Sequence, residues 1–344
     1  TGGAEAYLLR LSKAIAEEGH LPMLVTSREW PEKEWPNDFV VRLNATSPLR
    51  FAEEVQRAAV GCDVVFSLER IFSCDVYRAG DGVHRAWLER RAAFEPAWRR
   101  SLRWLNGKHR SLLKLESDIF SSNGARCVIA NSEMVRNEIV KSYNYPASRI
   151  EVIPNGYDPP PHSAGSRERR RAELGIAPDA FVALFAGSGW ERKGLSAAVR
   201  AVREVDGITL LVAGRGNPAP YRNAREVLFL GPRAELQPDF AAADVFILPT
   251  IYDPFSNACL EAWASGLPVI TTSANGFAEV LTDGDDGTVV SPGDINALAA
   301  ALRFWKTDEK AAVTRGVCRE RAMRYSVAEN MSRTLDVIRR AVQK

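Results

Sequence analysis

The stretch from Asp244 to Gly276, DVFILPTIYDPFSNACLEAWASGLPVITTSANG, constrains the fold more than any other. Val245 to Leu248 is a short apolar run of the kind buried on both faces of a parallel sheet. Pro249 and Pro254 bracket a loop, because proline has no N–H to give to regular structure. Asn257 is placed to cap a helix carrying Leu260, Glu261 and Trp263, which Gly266 ends. Val269 to Thr272 is β-branched throughout and reads as a second strand. The unit sets a loop and a helix N-terminus at the carboxyl end of a strand, where open α/β sheets bind ligands.

The same alternation fills the rest of the chain. In the first half, strands are expected at Phe39–Leu43, Asp63–Ser67, Asp75–Ala79, Cys127–Ala130 and Ile150–Ile153, with helices at Leu49–Val60 and Glu133–Tyr143. In the second, strands at Phe181–Ala186, Ile208–Val212, Val227–Leu230 and Gly287–Val290 alternate with helices at Leu195–Val205 and Ile295–Trp305. This predicts an α/β protein of two Rossmann-like, doubly wound parallel-sheet domains. The turn-rich run from Pro154 to Gly165 places the boundary, giving domains at 1–155 and 156–325 and a terminal helix within 326–344. Gly2 and Gly3 precede a helical face of Tyr7, Leu8, Leu11 and Ile15 and read as a phosphate-approaching turn. A doubly wound domain begins with a strand before such a turn, so its first strand is expected ahead of Thr1, outside this sequence.

Composition narrows the function. A net charge of +2 over 344 residues gives no global reason to bind nucleic acid. Five cysteines without C-x-x-C spacing and four scattered histidines fit a reduced, intracellular chain better than a disulfide framework or a zinc site. No apolar run reaches the roughly 18–20 residues that span a bilayer. One segment is lopsided: from Arg85 to Lys114 nine cations, among them Arg99, Arg100 and Arg103, face only Glu89 and Glu95, with Trp87, Phe94, Trp98 and Trp104 interleaved. Such a stretch suits an anionic membrane surface or acceptor as well as it suits a solvated helical face.

Within the opening stretch, backbone N–H groups around Phe255, Ser256 and Asn257 would face an anion, flanked by the carboxylates of Asp253 and Glu261. A ligand with both phosphate and hydroxyl groups, such as a nucleotide sugar, answers that description.

These residues resemble the acid-x7-acid signature of retaining glycosyltransferases of the GT-B fold, family 4, with Asp253 where glutamate is usual and Glu261 at the second position. The resemblance extends through Gly187-Ser-Gly-Trp-Glu-Arg-Lys-Gly194, Val152-Ile-Pro-Asn-Gly156 and Gly2-Gly3. Asp75-Val-Tyr-Arg-Ala-Gly-Asp81 and the basic segment are similar to the bacterial lipopolysaccharide core glucosyltransferases, which add glucose to an inner-core heptose. The resemblance implies two domains flanking a cleft, a UDP-sugar as co-substrate, a lipid-linked sugar acceptor, and a cytoplasmic place on the inner face of the cytoplasmic membrane. It implies that Glu261 receives the ribose hydroxyls, that Asp253 and the backbone of 255–257 hold the donor sugar, and that Arg233 lines the uracil pocket. The shorter Asp253 leaves the donor sugar open.

Sugar transfer leaves negative charge on the diphosphate. Arg192 and Lys193, between Gly187 and Gly194 in a loop after a strand, are the cations expected to hold it. Asp283-Gly-Asp285 matches a metal-binding Asp-x-Asp literally but lies in a turn sequence, so no metal is expected. Asp81, at the end of a first-domain strand, is the acceptor-side carboxylate expected to act as base or orienting group, with His84 a weaker candidate. Other readings stay open: a GT-B nucleotide-sugar epimerase or hydrolase, a dinucleotide oxidoreductase (Gly214-Arg-Gly216 lacks its third glycine), and an inactive membrane-bound binding protein.

Overall fold

A computed structural model describes residues 3–28, 39–98, 106–160, 165–307 and 311–343. The chain divides into two compact units, Thr1–Asn155 with Val327–Lys344, and Gly156–Ser326. Gly2, Arg99, Arg100 and Arg103 lie outside the described residues.

In the first unit β1 (Leu24–Ser27) pairs with β2 (Val40–Leu43), and β3 (Phe66–Ser67), β4 (Cys74–Arg78), β5 (Ala125–Ala130) and β6 (Ile150–Val152) form a four-stranded sheet in sequence order. All pairings are parallel. The single sheet expected is thus two pieces, unjoined by strand pairing among the described residues. Gly3 opens the helix Gly3–Glu17 instead of standing in a turn before it. Ser132 caps the helix Glu133–Tyr143 through Val135 N–H, and Asn144 ends it at φ 52. The terminal helix Val327–Val342 packs into this unit: Met331 and Leu335 meet Tyr7 and Leu11, while Val337 and Ala341 meet Val76, Ile129 and Ile153. Inside that contact the Tyr7 hydroxyl and Thr334 Oγ1 lie 3.1 Å apart.

The second unit is one six-stranded parallel sheet in the order β12-β11-β10-β7-β8-β9. Its strands are β7 (Phe181–Ala186), β8 (Ile208–Ala213), β9 (Val227–Gly231), β10 (Val245–Leu248), β11 (Val269–Thr272) and β12 (Gly287–Val290). The order reverses between β7 and β10, which places a topological switch point at their carboxyl ends. Strands β10 and β11 are buried at every position, as their unbroken apolar or β-branched runs require. A helix the sequence pattern did not announce, Ala311–Ala322, packs on Asn257–Ala264.

The charged Arg167–Arg171 run lies on the helix Ser166–Glu173; Arg169 is exposed, but Arg170 and Arg171 turn inward. Arg171 is buried and bonds Asp244 Oδ2 at 2.8 Å and the Ala242 carbonyl at 3.0 Å; Arg170 holds the buried Asp239 at 2.8 Å. The acids lie some seventy positions away in sequence, so local charge counting misses them.

Candidate functional site

The switch point gathers most of the expected donor residues. Gly187 follows β7 at φ +149, and Gly189 and Gly194 bracket a short helix, Trp190–Lys193, in left-handed conformations. A side chain at Gly194 would put its Cβ 2.0 Å from the Pro249 carbonyl oxygen, so only glycine lets this segment lie against the end of β10. Arg192 and Lys193 therefore stand on a helical turn, not in a loop. The Arg192 carbonyl accepts from Ile251 N–H (2.9 Å) and Thr250 Oγ1 (2.8 Å), and its guanidinium donates to the Tyr252 carbonyl at 3.3 Å. Lys193 ion-pairs directly with Asp253, both side chains being largely buried.

Asp253 is held from the other side by the loop after β11. Its N–H donates to the Ala274 carbonyl and its carbonyl accepts from Gly276 N–H, each at 2.9 Å. The buried Asn275 carboxamide oxygen accepts from Ser256 N–H (3.3 Å) and Phe277 N–H (3.1 Å). Two expectations change. The helix cap is Ser256, whose backbone is extended and whose Oγ accepts from Cys259 N–H; Asn257 is the first helical residue. The Ser256 N–H, expected to face an anion, is taken by Asn275. The Phe255 ring is buried edge-on to Phe277 at 5.4 Å, leaving only its backbone for a ligand.

Glu261 lies on the helix Asn257–Ala264, half-buried, and its carboxylate makes no ion pair or hydrogen bond among the described residues. Burial alone pushes its pKa up to about 7. Its charge acts on Tyr157, whose hydroxyl accepts from Gln237 Nε2 at 2.8 Å. Arg233 pairs with Asp239 at 3.4 Å and, with Gln237, lines a cavity of about 1220 Å³. Asp283 and Asp285 belong to a turn around Gly284 (φ +76), where Asp285 faces Arg321 at 3.5 Å. No cluster able to hold a metal ion is found among the described residues.

In the first unit Asp81 is exposed at the turn after β4, and His84 begins the helix His84–Ala92. The His84 ring is hydrogen-bonded to His109 (Nε2 to Nδ1, 3.1 Å). Burial, then the Arg70 charge, lower its pKa to about 4, so it is neutral at pH 7. The basic segment is less lopsided than its sequence: Arg90 meets Glu138 at 2.6 Å and Lys114 meets Asp118 at 2.9 Å. Trp98 and Phe94 are nevertheless 61% and 48% exposed. No helix among the described residues is long and apolar enough to cross a membrane.

Asn275, Tyr157, Gln237, His109, Arg70 and Glu116 were not legible as site residues. Each acts through a partner distant in sequence; only the Asn275-Gly276 turn pair offered a local signal.

Two parallel-sheet α/β units, the second with glycine turns and an acid-x7-acid segment at its switch point, are the architecture of the GT-B fold. Residues 1–160 match the family described as Glycosyltransferase Family 4, and residues 180–308 that described as Glycosyl transferases group 1. The two matches follow one another along the chain, and its fold is that of the GT-B glycosyltransferases. It is 29% identical over 230 residues to D-inositol 3-phosphate glycosyltransferase of Mycolicibacterium smegmatis, covering 62% of this chain and 53% of that one. It is 31% identical over 187 residues to the lipopolysaccharide core biosynthesis glycosyltransferase LpsD of Rhizobium meliloti, covering 51% and 54%. The chain spans about half the length of these curated relatives. Among solved structures, WaaG, a glycosyltransferase involved in lipopolysaccharide biosynthesis, superposes with TM-score 0.81 at 21% identity over 98% of this chain and 96% of that one. Anabaena HepE in complex with UDP-glucose gives 0.65 at 21% over 98% and 96%.

Proposed function

We propose that this chain is a retaining hexosyltransferase that moves glucose from UDP-glucose to a lipid-linked sugar, the inner-core heptose of lipopolysaccharide. The observation that carries the donor half is Glu261: a half-buried carboxylate with no hydrogen bond or ion pair among the described residues, near enough for its charge to act on Tyr157, suits the vicinal hydroxyls of a ribose. Lys193 and Arg192, at the end of β7, are the cations for the diphosphate, and Asp253 orients the transferred sugar. Asp81 orients or deprotonates the acceptor hydroxyl. No resident metal takes part, because lysine and arginine supply the charge the leaving diphosphate needs. EDTA is therefore expected to leave turnover intact, and a complete loss restored by manganese would return Asp283 and Asp285 to consideration.

The test is a calorimetric titration with UDP, UDP-glucose and GDP-mannose, followed by product analysis with a heptose-terminated core lipid. Uridine-specific binding and an α-linked product support the reading; binding of GDP-mannose alone defeats it. The likeness to a D-inositol 3-phosphate glycosyltransferase favours a second reading, the same chemistry on a phosphorylated polyol, which acceptor competition separates.

For the membrane, exposed Trp98 and Phe94 beside a cationic segment suit peripheral binding at the inner face of the cytoplasmic membrane. Neutralising Arg99, Arg100 and Arg103 should weaken binding to anionic vesicles at low salt, where each well-placed cation contributes about 1 kcal/mol. Equal sedimentation of variant and wild type would assign the segment to a solvated face.

A further inference from the structure

The turn that carries Asp81 is clamped at most of its polar backbone groups, while the Asp81 carboxylate itself makes no hydrogen bond or ion pair among the described residues. The Gly80 carbonyl accepts from Asn131 Nδ2 at 3.2 Å, and the Gly82 carbonyl from Arg70 Nη2 at 2.7 Å. The N–H groups of His84 and Arg85, the open N-terminus of a helix, donate to Glu116 at 2.6 and 3.0 Å. Glu116 is fully buried on the helix Gly107–Ile119 and also receives Arg70 Nε (3.0 Å) and the Tyr143 hydroxyl (2.7 Å). Asp81, by contrast, is exposed and makes no hydrogen bond or ion pair among the described residues.

A buried arginine–carboxylate pair is a weak source of stability, since desolvating both charges offsets most of their attraction. Its geometric effect is large: one carboxylate with four donors sets the position of a six-residue turn. We infer that Glu116 and Arg70 are positioning residues, which fix the Gly80–Arg85 turn so that the Asp81 carboxylate meets the acceptor hydroxyl. This rests on the reading of Asp81 as the acceptor-side carboxylate.

The experiment is a double-mutant cycle on transfer from UDP-glucose to a heptose-terminated core lipid, using Asp81→Asn, Glu116→Gln and the pair. Glu116→Gln is expected to lower kcat at least tenfold while calorimetric UDP affinity is unchanged. In the Asp81→Asn background it should cost less than twofold, because residues acting through one another are not additive. The milder Tyr143→Phe, which removes one donor to Glu116 and leaves the charge pair, should show the same pattern at two- to fivefold and guards against a Glu116 variant that fails to fold. Full additivity with a functional Asp81 would overturn the positioning role alone. A silent Asp81→Asn would overturn the acceptor-side reading, and this inference with it.

Discussion

Lys193→Ala is expected to destabilise the second unit by about 3–5 kcal/mol and to weaken UDP binding by about 1.5–3 kcal/mol, and the two losses should separate. Lys193 and Asp253 form a largely buried pair, so removing the ammonium strands a carboxylate that is 5% exposed. Asp253 is gripped through its backbone by Ala274 and Gly276 and cannot swing out to water. The double variant Lys193→Ala/Asp253→Asn should therefore regain most of the lost stability in urea melts, because no uncompensated charge remains. It should not regain nucleotide affinity, because the cation for the diphosphate is still absent. Recovery of both together would make the pair purely structural.

Glu261→Gln is expected to have the opposite sign on stability and the same sign on binding. It should weaken UDP binding by about 2–3 kcal/mol through loss of charge-assisted bonds, yet raise the melting temperature of the ligand-free protein at pH 8. The sign follows from linkage. Burial raises the Glu261 pKa from 4.5 to about 7, so between those values the folded protein holds a proton that the unfolded chain releases. Stability then falls as pH rises through that window, and the full cost of the charged form is reached above pH 7. That cost has an upper limit of about 3 kcal/mol, reduced to about 1 kcal/mol by the solvent that reaches a half-buried group. Glutamine removes the pH dependence. UDP affinity of the wild type should rise with pH and level off above 7, since only the ionised carboxylate accepts two hydroxyl donors. A flat affinity profile between pH 5.5 and 8 would place the ribose elsewhere.

The two variants set function against stability in different ways. Asp253 is stabilised by a partner that the substrate would share, whereas the Glu261 carboxylate has no hydrogen bond or ion pair among the described residues, at a cost to the ligand-free fold. A carboxylate of the second kind marks a ligand site more strongly than one of the first, because structural carboxylates acquire donors.

Local pattern determined much of this protein. The strands Phe181–Ala186 and Gly287–Val290 and the helices Glu133–Tyr143 and Val327–Val342 lie where apolar periodicity puts them. The acid-x7-acid spacing and the glycines at 187, 189 and 194 marked the candidate donor site, since backbone conformation is a property of neighbouring residues. Tertiary structure decided what depends on distant partners: that Lys193 pairs with Asp253 across 60 positions, that Asn275 takes the Ser256 N–H, and that Arg170 and Arg171 are drawn inward by Asp239 and Asp244. It also decided that Glu116 and Arg70, 46 residues apart, grip the turn bearing Asp81. Periodicity reports which face of an element is buried; only the packed chain sets which charge meets which, because that pairing is made between elements the sequence keeps apart.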